Sequence, residues 1–147
     1  MANSDVEVFN NLISGNGTVN LSIVSYGDET DDKNYYPHPK RIQVHNNIYG
    51  PSGFDPDLET GDLAKALYEM SDGNMPDIFW DGVLPLPQII LGQPKDEQLI
   101  IDEEISTSFL TISPIKYMLG FSEPIKTSKQ EFNGTISPLD SVVIESF

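Results

Sequence analysis

Asp28, Glu29, Asp31 and Asp32 stand just ahead of the chain's two histidines, His38 and His45. Carboxylate oxygens at that density suit a hard cation such as calcium. The loop of helix–loop–helix calcium sites is nevertheless not encoded. Counted from Asp28, Lys33 stands where the sharp turn wants glycine, and Pro39 stands where a bidentate glutamate belongs. Zinc would need ligands at short spacing, which His38 and His45 do not offer. The expectation is a solvated acidic loop without a metal. A second group, Asp55, Asp57, Glu59 and Asp62, supplies the paired carboxylates that acid–base chemistry uses. "FDPDLETGD" is equally the vocabulary of turns and helix starts, and capping is the reading taken. The third group, Asp96, Glu97, Asp102, Glu103 and Glu104, brackets "QLII" and reads as gatekeeper charge that keeps an apolar strand from mispairing.

Other catalytic patterns are missing. There is no Gly-x-Ser-x-Gly elbow, no phosphate loop ending in Gly-Lys-Ser or Gly-Lys-Thr, no His-Glu-x-x-His and no Gly-x-Gly-x-x-Gly. Cysteine is absent, which removes disulfides, thiolate ligands and thiol nucleophiles together. Arg41 is the single arginine, so bidentate recognition of phosphate is poorly served. A small hydrolase working through the carboxylates, His38 or His45 has no positive motif behind it. No enzyme activity and no cofactor are expected.

Charge narrows the partners. The 147 residues carry 23 acids and 8 bases, a net of −15, and nearly all of the excess lies in residues 1–112. Such a field repels nucleic-acid phosphates and anionic lipid. Cationic surfaces or other copies of the chain are the favoured contacts. No apolar run approaches a membrane span, and the N-terminus shows no basic region followed by an apolar block, so neither a span nor a secretion signal is expected. The glycosylation triplets at Asn16, Asn20 and Asn133 read as incidental.

The elements that must position these residues are β-rich. "SDVEVFNNLISG" pairs Ser4 with Glu7 as a capping box and puts Val6, Phe9 and Ile13 on one face, which predicts a helix over about 4–14. The alternation of Val6 and Val8 allows a strand instead. "TVNLSIVSY" and "RIQVH" alternate as strands with one wet face. "TGDLAKALYEMSDG" predicts a helix over about 61–71, with Leu63, Ala66, Leu67 and Met70 on the apolar face and Gly73 as its stop. "VLPLPQIILG", "EQLIID", "SFLTIS", "IKYML", "EFNGTIS" and "SVVIESF" read as short strands. Pro85 and Pro87 push the first of these to an edge or bulge, and Asn133-Gly134 marks a hairpin. "TISPIKYM" echoes "TISPLDSV" 24 residues later, read as two strands entering from similar turns rather than a solenoid. The fold class expected is a single α+β, β-rich domain over 1–147, with a mainly antiparallel sheet, sandwich or barrel and one or two short helices.

These features favour a non-catalytic structural or interaction protein, a small subunit of a larger assembly such as a virus or phage particle; no location follows from the sequence, the virion being one option. Its partners would be other protein subunits or copies of itself, with no direct nucleic-acid binding and no membrane. The alternative is an acidic inhibitor that mimics nucleic acid and occupies the basic cleft of a DNA- or RNA-binding enzyme. The candidate interface residues are Tyr35 and Tyr36 with Arg41, Phe79 and Trp80 if exposed, and Phe147. Phe79 and Trp80 also suit the core. "SVVIESF" could add an edge strand to a neighbour.

Overall fold

The computed structural model describes residues 3–27, 32, 35–113, 118, 120, 125–135 and 138. Its strands are β1 (Ser4–Phe9), β2 (Leu12–Ile13), β3 (Leu21–Ile23), β4 (Lys40–His45), β5 (Ile48–Tyr49), β6 (Ile78–Trp80), β7 (Ile100–Asp102), β8 (Phe109–Ile112) and β9 (Ile125–Lys126). Among the described residues two α-helices, α1 (Asp62–Met70) and α2 (Leu86–Leu91), interrupt them, with 3₁₀ turns at Lys95–Glu97 and Gln130–Phe132.

The pairing is mostly parallel. Strands β1, β4 and β7 form one sheet, β2 and β5 a second, and β3, β6, β8 and β9 a third in which only β9 is antiparallel. The first turn of chain lays β1, β2 and β3 into the three sheets in order, and the second lays β4, β5 and β6 directly beside them. The third adds β7 and β8. This is the winding of a short parallel β-solenoid, α+β and β-rich as expected but not the antiparallel sheet, sandwich or barrel read from the sequence. The reason is physical: alternation of apolar and polar residues reports which face is buried and carries no information on strand direction.

Inside the winding, Ile23, Ile42, Val44, Ile78, Trp80, Leu84, Leu99, Ile101 and Phe109 make one buried cluster, joined by the partly buried Val6, Val8 and Leu21. The opposite face of the third sheet presents Phe79 and Leu110 to α1, where Leu67 is fully buried between them. Burying one leucine to that extent stabilises by about 1.5–3 kcal/mol. The helix predicted over 61–71 is thus α1, turned slightly from the expected face: Ala64 and Leu67 are buried and Met70 packs with them, while Leu63 and Ala66 stay exposed. Its stop is Gly73, whose φ of +79° lets its amide reach Tyr68 O at 2.9 Å.

Three local readings change. The helix expected over 4–14 is strands β1 and β2. Val6 and Val8 point inward above Ile42 and Val44, Asp5 has φ +60°, and the Glu7 carboxylate meets His45 instead of a helix start. A helix this short is marginal alone, and a waiting parallel neighbour selects the extended form. "LPQIIL", read as a strand, is helix α2. Pro87 fits the first turn, where its missing amide is not needed, and the amides of Gln88 and Ile89 bond to Pro85 O. At the expected hairpin, Asn133 has φ −67°, outside the left-handed region of a tight Asn-Gly turn. The runs "IKYML" and "SVVIESF" lie largely or wholly outside the described residues.

Candidate interaction surface

The winding is written in a repeat that the 24-residue echo obscured. "VFNNLISGNG" at 8–17 stacks on "VHNNIYGPSG" at 44–53, and paired residues from Ser4/Lys40 to Asn16/Ser52 keep one offset of 36. The backbone repeats too. Asp5 and Arg41 both have positive φ, at +60° and +52°, as do Asn10 and Asn46 at +55° and +54°. Side chains at matching places touch: Arg41 ion-pairs with Asp5, and the rings of Phe9 and His45 stack at 5.3 Å. Asn46 donates to His45 Nδ1 at 2.9 Å, which leaves Nε2–H to donate to Glu7 Oε1 at 2.9 Å. His45 is therefore held as a stacking element.

At the corner after β4 the stacking becomes a polar ladder. The Asn47 side-chain amide, 4% exposed, donates to Val8 O at 2.9 Å, His45 O at 3.1 Å and Glu103 Oε1 at 2.7 Å. Its carbonyl oxygen accepts from the backbone and side-chain nitrogens of Asn11, both at 3.0 Å. Glu103 also receives the Asn47 backbone amide at 3.0 Å and the Tyr49 hydroxyl at 3.2 Å. Burial and the Glu103 charge push the Tyr49 phenol above its ordinary range. Glu103, expected as gatekeeper charge, thus binds the third turn to the second.

The outside of the same corner is apolar. Leu12 pairs with Ile48 across β2 and β5, and the two are 74% and 68% exposed. Ile105, one turn further on and 94% exposed, lines the same shallow depression as Ile48. That depression holds about 450 Å³ and is flanked by Asn46, Asp102, Glu103 and Glu104. An aliphatic stripe beside three carboxylates results.

The sequence candidates fall in three places. Tyr35 and Tyr36 lie on the connection from β3 to β4. The Tyr35 hydroxyl donates to Tyr26 O at 3.0 Å with the two rings edge to face, and Tyr36 packs edge-on to His38 beneath the Lys40 ammonium, 5.1 Å from the ring. Burial and the charge of Glu97 raise the Tyr36 phenol. Arg41 is engaged by Asp5 rather than by these tyrosines. Phe79 and Trp80 are 1% and 7% exposed, so the condition of exposure attached to them is not met; Phe79 faces α1, and Trp80 packs edge-on against Phe132 at 5.2 Å. Phe147, Asp28, Glu29 and Asp31 lie outside the described residues.

Several groups with acid–base potential are built into structural contacts. Asp57 accepts from the amides of Glu59 and Thr60 at 3.0 and 2.9 Å and from the Thr60 hydroxyl, which hold its carboxyl at about 2. Asp77 receives the Ser108 amide and hydroxyl at 2.9 and 2.7 Å. Ser25 and Asp81, which sequence reasoning passed over, meet across 56 residues: Asp81 accepts the amides of Ser25 at 2.5 Å and Val83 at 3.1 Å, while burial raises its carboxyl. Ser25 Oγ lies 3.4 Å from His38 Nδ1 and donates to Val83 O at 3.2 Å. In a nucleophilic triad the acid would orient the imidazole; Asp81 instead ties the end of β3 to the end of β6. Among the described residues no three of His, Asp and Glu gather as metal ligands, and no helix is long and apolar enough to cross a membrane. No family model matches the chain, and neither a curated protein nor a solved structure matches it.

Proposed function

We propose that this is a non-catalytic structural or interaction protein, a small subunit of a larger assembly such as a virus or phage particle, acting through its outer surface. The observation that carries this is the group of Leu12, Ile48 and Ile105, with Leu12 paired to Ile48 across β2 and β5 and Ile105 lining the same depression as Ile48, each more than two-thirds exposed, beside Asp102, Glu103 and Glu104. Isolated exposed apolar residues are ordinary, but a group of them rimmed by charge marks a place where another protein docks. The fitting partner presents an apolar side chain flanked by Lys or Arg. The solenoid supports this use, since stacked turns make a rigid, extended face. The partnered state of Asp57, Asp77, Asp81, Glu103 and His45 fits a molecule in which these polar groups serve architecture.

The test is fractionation of the native source with the intact chain, followed by the double variant Ile48→Lys/Ile105→Lys. The expected result is a particle or complex holding the wild-type chain at fixed stoichiometry, from which the variant is excluded while its unfolding midpoint stays at the wild-type value. A chain found only free in solution, or a variant incorporated as well as wild type, overturns the reading.

A further inference from the structure

The two ends of the solenoid differ. At the far end, β9 takes the outer edge of β8, and the Phe132 ring closes over Trp80 and Phe109 at 5.2 Å from each. At the near end, β1, β2 and β3 each pair on one side only among the described residues. The interior opens there into a depression of about 220 Å³, whose apolar lining includes Val6, Val8, Leu21 and Ile23 from the first turn and Ile42 and Val44 beneath. Val6, Val8 and Leu21 are only partly buried, whereas their counterparts in the second turn, Ile42, Val44 and Ile78, are buried. A solenoid turn left this way has an uncovered core and a row of unsatisfied strand edges, which repeat proteins ordinarily cap.

We infer that this first turn is a self-association surface, covered by the first turn of a second copy related by a two-fold axis. Charge selects the occupant. None of the residues lining the depression is charged. Residues 3–27 hold two acids, Asp5 and Glu7, and no base, and both acids are already engaged by Arg41 and His45 of the second turn. In a chain of net charge −15, the described residues of this turn let two copies meet without bringing their own carboxylates together unpaired. A basic partner finds no free anion among them. In the third sheet, stacking of one copy's last turn on the next copy's first is blocked by β9 on the edge of β8, which favours an isologous contact that closes at two copies. Val6 and Val8 of each copy then fill the other's opening, and β1 meets its symmetry mate edge to edge.

This deepens the interaction reading by naming one partner, and its test uses different residues. Sedimentation velocity on the full chain is expected to give a dimer. Asn3→Glu, at the exposed rim, and Val8→Asp, inside the opening, each weaken that dimer by roughly a hundredfold or more, because like charges are brought face to face across the axis. Circular dichroism and the unfolding midpoint check folding, and Asn3→Glu, which removes no core atom, keeps the comparison decisive if Val8→Asp does not fold. The Ile48→Lys/Ile105→Lys double variant stays dimeric, which separates this contact from the stripe. A wild-type monomer, a species larger than a dimer, or an Asn3→Glu protein that dimerises like wild type overturns the inference.

Discussion

Asn47→Ala removes the side chain that joins the three turns of the solenoid. Of its contacts, those to Asn11 and Glu103 reach the surface, where water replaces them in part. Those to Val8 O and His45 O lie inside, where Asn47 is 4% exposed. Counting about 1 kcal/mol for each interior contact and about 1 more for the charge-assisted bond to Glu103 gives a loss of about 3 kcal/mol. In a chain of this length that lowers the melting midpoint by about 6–12 °C. Urea unfolding read by circular dichroism measures it, with an unchanged slope showing that the unfolded state is unaffected. Asn47→Asp sharpens the test. It keeps the shape but replaces a donor with an anion facing the Glu103 carboxylate, 2.7 Å from the present nitrogen, so near neutral pH it costs more than the alanine variant. The penalty shrinks already as pH falls toward the usual carboxylate range, because two facing carboxylates hold one shared proton more tightly than either alone and that proton restores a donor. An alanine variant within about 0.5 kcal/mol of wild type, the range of ordinary surface changes, refutes the ladder as a clamp. So does an aspartate variant that tracks alanine at every pH.

Gly82 has φ +63°, and a Cβ there would sit on the carbonyl oxygen of Ile112, so Gly82→Ala is expected to destabilise by at least about 2 kcal/mol in the same unfolding assay; a neutral result shows that the turn after β6 yields. Asp57, held at about 2 against an ordinary 3.8, binds its proton less readily folded than unfolded, so its contribution is fully present above 3.8 and is lost as pH falls through about 2. The melting gap between wild type and Asp57→Ala is therefore expected to close as pH is lowered across that window, and a gap that persists at the acid end removes the role of the Asp57 charge in holding the turn at Glu59 and Thr60.

Much of the local structure was legible. The spacing of Leu67 and Met70 and the position of Gly73 suffice to place α1, and alternation in "NLSIV" and "RIQVH" suffices for β3 and β4. The first segment shows where local signals stop. Ser4 and Glu7 satisfy the rule for a helix start while Val6 and Val8 satisfy the rule for a strand, and only Ile42 and Val44, 36 residues away, decide between them. The repeat itself was present in the letters as Asn-Asn at 10–11 and 46–47. It was hidden because the next offset is 57, stretched by the insertion that carries α1, so no single period runs through the chain. The exposed apolar group was invisible for the same reason: Leu12 falls in the stretch read as a helix, Ile48 just after the strand "RIQVH" and Ile105 between the runs "EQLIID" and "SFLTIS", and only the winding brings them to one corner.

By itself, then, the sequence determined the inventory and its local grammar: no thiol chemistry, a strongly negative surface, a β-rich chain with one clear helix, and carboxylates phrased as turns and caps. The tertiary structure alone decided that the strands run parallel, that Phe79 and Trp80 are interior, and that an apolar stripe and an uncovered first turn face outward. Composition and short-range periodicity are fixed by neighbours in the chain, whereas strand direction and exposure are set by residues 31 to 57 positions away, whose meeting no local pattern records.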